Sequence, residues 1–300
     1  MSPYTNSLSP PDIRLLILDI DGTITGEFNG IRQTVIEAVQ AAQTQGVQVA
    51  LATGRSYQSA LPFYKDIGST LPLIAYDGAL IREPQTGTVL RHLSIEPQVA
   101  AQLLDYLEHH EREERLSIHI HIEDKIFIQN FDATTLAYLE QFQLQAIPVS
   151  DLRQVLDQGL TKVKALSQDS HMLSQLLHSL QQHYNHNPTQ LCLTQFEEIS
   201  LEAVHPNANK GTAVNYLAET LLVLQREQVM AIGNEFNDVE MLKYAGIGVA
   251  MGNAPEAVQA IADWVAPSVE ADGVAAAIQT WILQTNPFVF LNKQPTANNQ

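Results

Sequence analysis

Short apolar runs alternate along the chain with amphipathic segments, and the period of each separates strand from helix. From Ile13 the sequence reads Ile-Arg-Leu-Leu-Ile-Leu-Asp-Ile, and its unbroken stretch Leu15 to Leu18 predicts a strand buried on both faces of a parallel sheet. After a polar loop to Gly30, Ile31, Val35, Ile36, Val39 and Ala42 recur at helical spacing, with Gly46 as the stop. Val47 to Ala52 predicts a second strand, Ser56 opens a second helix, and Leu73 to Tyr76 predicts a third short strand. Strand, helix, strand, helix, strand implies right-handed crossovers and a parallel sheet with helices on both faces.

The rhythm changes at Ala79. Ala79 to Arg82 and Thr88 to Leu93, joined through Pro84-Gln85-Thr86-Gly87, predict a hairpin. A helix follows with Val99, Leu103, Leu104 and Leu107 on one face. Ser117 to Glu123 alternates polar residues with Ile118, Ile120 and Ile122, and Lys125 to Asn130 is its return strand, so this sheet is expected to leave its polar face open. A helix from Met172 to Leu180 and strands at Val163 to Leu166, Leu191 to Thr194 and Ile199 to Val204 continue the mixed pattern. The parallel pattern returns at Asn209-Lys210-Gly211, before a helix marked by Val214, Leu217, Leu221 and Leu222. Strands Val229 to Ile232 and Ile247 to Met251 then alternate with helices through Met241 and Tyr244, at Pro255 to Ala262 and at Val274 to Leu283. The fold class is therefore α/β. A doubly wound parallel core, residues 1–82 and 204–284, is interrupted by a smaller α+β domain at 83–203, and 285–300 is expected to be a polar, loosely held tail.

Composition narrows the classes. With 45% hydrophobic and 16% charged residues and no apolar run able to span a bilayer, the 300-residue chain is expected to be globular and without a membrane partner. Its Ser- and Pro-rich start has no basic region before an apolar block, which predicts no secretory signal and a cytoplasmic protein. The single cysteine, Cys192, excludes an internal disulfide and suits a reducing compartment. A formal net charge of −17 repels nucleic acid, so an anionic substrate needs local cations or a metal. No internal repeat is present, and nothing specifies an oligomeric state.

Candidate chemistry collects at strand ends. Asp19 and Asp21 close the first apolar run and, one residue apart, point to the same side as the backbone leaves the sheet. At ~4 Å and an effective dielectric near 20 two such carboxylates repel by about 4 kcal/mol, which calls for a proton, a cation or a metal between them. Thr53-Gly54-Arg55 ends the second strand and precedes a helix start, where backbone N–H groups, a hydroxyl and a guanidinium make an anion site. Asp77-Gly78 ends the third strand, Lys210 stands at a helix start, and Gly233-Asn234-Glu235-Phe236-Asn237-Asp238 follows the strand at Val229.

Asp-x-Asp-Gly-Thr, a strand-end Thr, a later Lys at a helix start and Gly-x-x-x-Asn-Asp, in that order, resemble the four motifs of the haloacid dehalogenase superfamily. Gly233 to Leu242, Ala245-Gly246, Val249-Ala250-Met251-Gly252-Asn253-Ala254, Asp272-Gly273-Val274 and the place of the insertion are similar to its Cof-type sugar-phosphate phosphatases. The resemblance implies a Rossmann-like core, a cap that closes over a phosphate site, and Mg²⁺-dependent hydrolysis of a small phosphorylated metabolite. Asp19 is then the nucleophile that forms an aspartyl-phosphate, Asp21 the general acid and base, and Thr53 and Lys210 hold phosphoryl oxygens. Gly54, Arg55, Asp77, Gly78 and Asn237 fall on the substrate side. Mg²⁺ suits an oxygen-only set of Asp19, the Asp21 carbonyl and Asn234, with Asp238 at or just behind the metal.

Two positions depart from the family pattern. Asn234 stands where the family usually carries a metal-binding Asp, which implies a weaker metal site unless Glu235 reaches in. Asp77 replaces a frequent Asn and bears on specificity. A phosphosugar mutase and a catalytically weakened, phosphate-ligand-binding regulatory protein are the alternatives on this scaffold. Other polar residues read as structural: His119 and His121 beside Glu123 on an open sheet face, and His178, His183 and His186 at a polar helix end without metal spacing. Cys192 has no evident base partner. Gly246-x-Gly248 with Gly252 flanks a strand rather than opening a helix, so it is no dinucleotide fingerprint.

Overall fold

The computed structural model describes residues 11–26, 30–114, 116–142, 144–184, 191–196 and 199–283; the tail expected at 285–300 and His186 lie outside them. The chain forms two compact units. One comprises Met1–Ala52, Phe63–Leu71 and Val214–Gln300, the other Thr53–Pro62 and Pro72–Ala213. Among the described residues no helix is long and apolar enough to cross a membrane.

The first unit is built on a five-stranded parallel sheet. Leu15–Leu18 lies at its centre, paired with Gln48–Leu51 on one side and Val229–Gly233 on the other; Ile247–Ala250 and Trp264–Val265 extend it. All four residues of the central strand are fully buried, which explains why no polar residue interrupts the run. Each such side chain contributes roughly 1.5–3 kcal/mol of burial. The helix Gln33–Thr44 turns Val35, Ala38, Val39 and Ala42 inward and packs on the last helix, Gly273–Ile278. Because the central strand's neighbours come from opposite parts of the chain, its carboxyl end is a topological switch point. Asp19 follows there.

The third expected strand does not join this sheet. Leu73–Ala75 pairs antiparallel with Leu80–Arg82, which pairs in turn with Val89–His92. The reason lies in Tyr76, Asp77 and Gly78, whose φ values of 51°, 53° and 91° reverse the chain directly after the strand. The hairpin expected after Ala79 is present, with an irregularity between Ile81 and Arg82.

The second unit holds a six-stranded sheet in the order Cys192–Phe196, Ser200–Val204, Lys162–Leu166, Ser117–Ile122, Lys125–Ile128 and Ala146–Pro148. Only its last pairing is parallel, made through the helix Ala133–Gln141. Ile118, Ile120, Val163, Ala165, Leu201 and Ala203 form a core with the inward faces of the helices Pro97–Glu114 and Ser170–Tyr184.

The opposite face corrects the expectation of an open sheet. His119, His121, Lys162, Lys164 and Glu202 are at most 5% exposed. The register sets His119 opposite Lys164, His121 opposite Lys162 and Glu202 opposite Lys164, so the polar chains share one covered face. His119 Nε2 lies 2.9 Å from Thr135 Oγ1 of the covering helix, and Tyr76 meets the His121 ring edge-on. Alternation reveals which face is polar, whereas only tertiary packing decides whether that face meets water.

Charge is balanced inside this layer. Lys164 Nζ lies 2.8 Å from Glu202 Oε1, and Lys162 binds Glu202 Oε2. Burial alone would raise the Glu202 pKa, but the two ammonium groups outweigh it and hold the carboxyl at about 2. Burial, helped by the Lys164 charge, lowers His119 to about 4.

These shifts set an acid limit on stability. Between its ordinary 6.5 and about 4, His119 is protonated in the unfolded chain and neutral in the folded one, so stability falls as pH drops through that window. At about 1.4 kcal/mol per unit the effect is of order 3 kcal/mol. Glu202, ordinarily near 4.5, continues the loss down to about 2. The melting temperature followed by circular dichroism is expected to decline steadily from pH 7 to 4, with a shallower slope in His119→Phe. An unchanged slope in that variant contradicts the assignment.

Candidate active site

In the first unit the end of the central strand is locked before any ligand is considered. Asp19 N–H donates to Ile232 O at 3.1 Å, continuing the sheet ladder by one residue. The N–H groups of Thr23, Ile24 and Thr25 then converge on Ile20 O, and Gly22 N–H donates to Thr25 O at 2.8 Å. Gly22 sits at φ 75°, which a side chain would strain, and an added Cβ would run into the Asn234 amide. Asn253 braces this turn from outside: its Nδ2 donates to Gly22 O at 2.8 Å while its Oδ1 accepts from Val269 N–H at 2.9 Å. Asp19 is thereby held 4% exposed, and Asp21 is half-buried.

Asn234 emerges from the neighbouring strand into the same place. One end of its amide lies 2.9 Å from Thr23 Oγ1, 3.2 Å from Asp19 Oδ2 and 2.6 Å from the Asp21 carbonyl. With the amide nitrogen turned toward them, it donates to these oxygens. Asp238, fully buried, accepts from the N–H groups of Asn234 at 2.8 Å and Glu235 at 2.9 Å, which shapes the 233–238 turn. A Cβ on Gly233 would come 2.5 Å from Asp238 Cγ, so this turn requires glycine.

The donors fit Mg²⁺. A carboxylate oxygen, a backbone carbonyl and an amide able to present its oxygen converge at the strand ends, and Mg²⁺ prefers such hard ligands while keeping waters. Among the described residues no three His, Cys, Asp or Glu side chains group as a metal cage.

The second unit carries the other expected residues. Thr53 is fully buried; its N–H donates to Ile74 O, its carbonyl accepts from Asp77 N–H, and its Oγ1 accepts from Arg55 N–H at 3.1 Å. The Asp77 carboxylate stands over Gly54, where an added Cβ would lie 3.0 Å from Asp77 Oδ1. Gly78, at φ 91°, lets the chain approach Asn209, whose carbonyl would lie 2.5 Å from a Cβ there. Lys210 begins the helix Lys210–Asn215 and is 1% exposed. Asn209 Oδ1 accepts from Thr212 N–H at 2.8 Å, an N-cap that fixes this helix start.

The structure therefore gathers Asp19, Asp21, Asn234, Asn237 and Asp238 in the first unit and Thr53, Gly54, Arg55, Asp77, Gly78 and Lys210 in the second. Sequence reasoning missed Lys162, whose ammonium donates to Gly54 O at 3.2 Å and lies 3.7 Å from Asp77 Oδ2. Two lysines on one face of an otherwise apolar strand, Lys-Val-Lys-Ala-Leu, were the available signal. It also missed the bracing by Asn253. Burial foremost, and the charge of Asp77 second, raise the thiol pKa of Cys192.

A strand-end carboxylate at the switch point of a doubly wound sheet, beside oxygen donors for a hard cation, suits phosphoryl chemistry, and the family comparison gives the class. The sequence profile of the haloacid dehalogenase-like hydrolases matches residues 16–278, and the chain belongs to that family. It is 28% identical over 277 residues to 5-amino-6-(5-phospho-D-ribitylamino)uracil phosphatase YitU of Bacillus subtilis, covering 87% of this chain and 94% of that one. It is also 28% identical to pyridoxal phosphate phosphatase YbhA of Escherichia coli, covering 90% and 99%. Among solved structures, a haloacid dehalogenase-like hydrolase from Bacteroides thetaiotaomicron superposes with a TM-score of 0.77 at 25% identity, covering 89% of this chain and 99% of that one. The protein is thus a phosphatase of the haloacid dehalogenase class.

Asn234→Asp tests the metal set without catalysis. A third carboxylate beside Asp19 and Asp21 adds repulsion of up to about 4 kcal/mol in the metal-free protein. The variant is expected to melt lower than the native protein without metal, to gain more from Mg²⁺, and to bind it about tenfold more tightly by calorimetry. Equal Mg²⁺ affinity in both proteins excludes residue 234 as a ligand.

Proposed function

We propose that the protein hydrolyses small phosphomonoesters, sugar phosphates or related metabolites, through an aspartyl-phosphate on Asp19, with Mg²⁺ as cofactor. The observation that carries the reading is the Asp19 carboxylate, held nearly buried at the end of the central strand with Asn234 and the Asp21 carbonyl beside it. Mg²⁺, when bound, supplies charge neutralisation for the phosphoryl oxygens.

The protein's own groups supply the rest. An Asp19 oxygen attacks phosphorus as the bond to the ester oxygen breaks, and Asp21 gives its proton to the departing alkoxide. Water then attacks the phosphorus of the aspartyl-phosphate, Asp21 takes the proton, and phosphate leaves with the Asp19 carboxylate restored. Thr53 Oγ1 and Lys210 hold the non-bridging oxygens, and the backbone around Gly54 with the Arg55 guanidinium receives the anion. Asp238 acts through the turn it shapes, while Asp77, Gly78 and Asn237 face the organic part. Residues 83–203 serve as the cap. The ribityl phosphate in the name of YitU agrees with a small phosphorylated metabolite as substrate. The charge of −17 and the free thiol of Cys192 agree with a cytoplasmic enzyme that binds no nucleic acid.

The test is release of phosphate from p-nitrophenyl phosphate and from a panel of sugar phosphates. Asp19→Asn is expected to lower kcat by at least about a thousandfold with its fold intact by circular dichroism. A native protein that binds these esters without turning them over moves the assignment to a regulatory binding role. Isomeric phosphates in place of free phosphate identify a mutase.

A further inference from the structure

Gly22 is the softest link in the turn that carries Asp21. A glycine at φ 75° has no side chain to pack, so its peptide groups take their direction from what they bind. Its N–H donates to Thr25 O at 2.8 Å, and its carbonyl accepts from Asn253 Nδ2 at 2.8 Å. The Asp21 carbonyl just before it lies 2.6 Å from the Asn234 amide. Two successive carbonyls are thus pinned by two amides, one from the loop after Val229–Gly233 and one from the loop after Ile247–Ala250. All of these residues lie in the first unit.

Asn253 is itself fixed. Its Oδ1 accepts from Val269 N–H at 2.9 Å, so one end of the amide meets a donor and the other an acceptor, and the group has one orientation. Gln259 Nε2 donates to the carbonyls on either side of it, Gly252 O at 3.2 Å and Ala254 O at 2.8 Å. Gly252 N–H donates to Pro267 O at 3.2 Å, and a Cβ there would come 2.8 Å from Ser268 N. Yet Asn253 is exposed, where a hydrogen bond adds little to stability. An exposed amide held this closely acts through what it orients, and that is the turn behind Asp21.

We propose that Asn253 is a positioning residue for Asp21: by pinning the Gly22 carbonyl it sets the direction from which the Asp21 carboxyl gives its proton to the departing ester oxygen. The inference rests on the phosphatase reading above, in which that proton moves as the phosphorus–oxygen bond breaks and Asp19 takes the phosphoryl group. A misplacement of about 1 Å is enough to cost a factor near 10². Only the proton transfer should suffer, because Asp19 is held separately through its N–H to Ile232 O.

Leaving groups of different basicity expose such a role. Phenolate needs the proton, whereas p-nitrophenolate, of nearly the same shape, leaves as a stable anion. Because kcat/KM reports the steps through release of the leaving group, hydrolysis of the aspartyl-phosphate does not enter it. Asn253→Ala is expected to lower kcat/KM about tenfold for phenyl phosphate and less than about twofold for p-nitrophenyl phosphate. Asn253→Asp can still accept from Val269 N–H but cannot donate to Gly22 O, and it should show the same selective loss. Its added charge acts on both esters alike, so their ratio isolates the lost donor; it also decides alone if Asn253→Ala does not fold. In an Asp21→Asn background Asn253→Ala should lower neither ester further, since the proton it aims is gone. A merely structural contact would instead lower both esters together, and in either background. An equal loss on both esters, no loss, or a tenfold loss that persists in Asp21→Asn overturns the proposal and leaves the phosphatase standing. A native protein that releases phosphate from neither ester, the activity the reading above requires, overturns both.

Discussion

Oxygen atoms brought together at the end of a buried strand repel one another unless something positive lies between them. That constraint organises the first unit. The parallel sheet delivers the Asp19 carboxylate and the Asp21 carbonyl to one point, and the adjacent strand delivers Asn234 against them. An amide meets the constraint in two ways: its nitrogen can donate to the oxygens, or its oxygen can turn to a cation that neutralises them. A carboxylate at 234 could do only the second. The tight turn at Gly22, the Asn253 brace and the Asp238 cap hold the backbone so that this choice rests on one side-chain torsion.

The second unit answers the same electrostatic question without a metal. Lys162, Lys164 and Glu202 lie in a covered layer with the partly exposed Asp77 at its edge, and each charge has an opposite charge within 4 Å. Burying such a set gains little stability over an apolar layer, since desolvation offsets most of the attraction. Its effect is positional. Lys162 and Glu202 each hold two of these contacts, so removing either breaks two pairs at once, and Lys162 ties Asp77 and Gly54 to the strands behind them.

Much of this was legible in the sequence. Leu15–Leu18 read as a doubly buried strand because it carries no polar residue, and Asp19 and Asp21 declared themselves by standing where that run stops. The family motifs then placed Thr53, Lys210 and the Gly233 segment in order. What stayed hidden depends on contacts distant in sequence. The left-handed turn at Tyr76 and Asp77, unusual for the bulky tyrosine, sent Leu73–Ala75 into an antiparallel sheet. His119 and His121 looked solvated because alternation cannot register the helix Ala133–Gln141 against His119 or the Tyr76 ring against His121. The pairing of Lys162 with Glu202 depends on strand register, and no local pattern encodes that.

The order of strands also bears on how the molecule is made. Every neighbouring pair in the six-stranded sheet joins segments between Ser117 and Val204, so that sheet can assemble from one continuous stretch of emerging chain. The central strand of the first unit cannot: Leu15 pairs with Val229, near the far end of the sequence. During synthesis Leu15–Leu18 therefore waits, fully apolar, with one edge unpaired until Val229–Gly233 has been made. The strand that precedes Asp19 is thus completed only after the whole six-stranded sheet has been synthesised, and that interval is when the nascent chain most needs protection from aggregation.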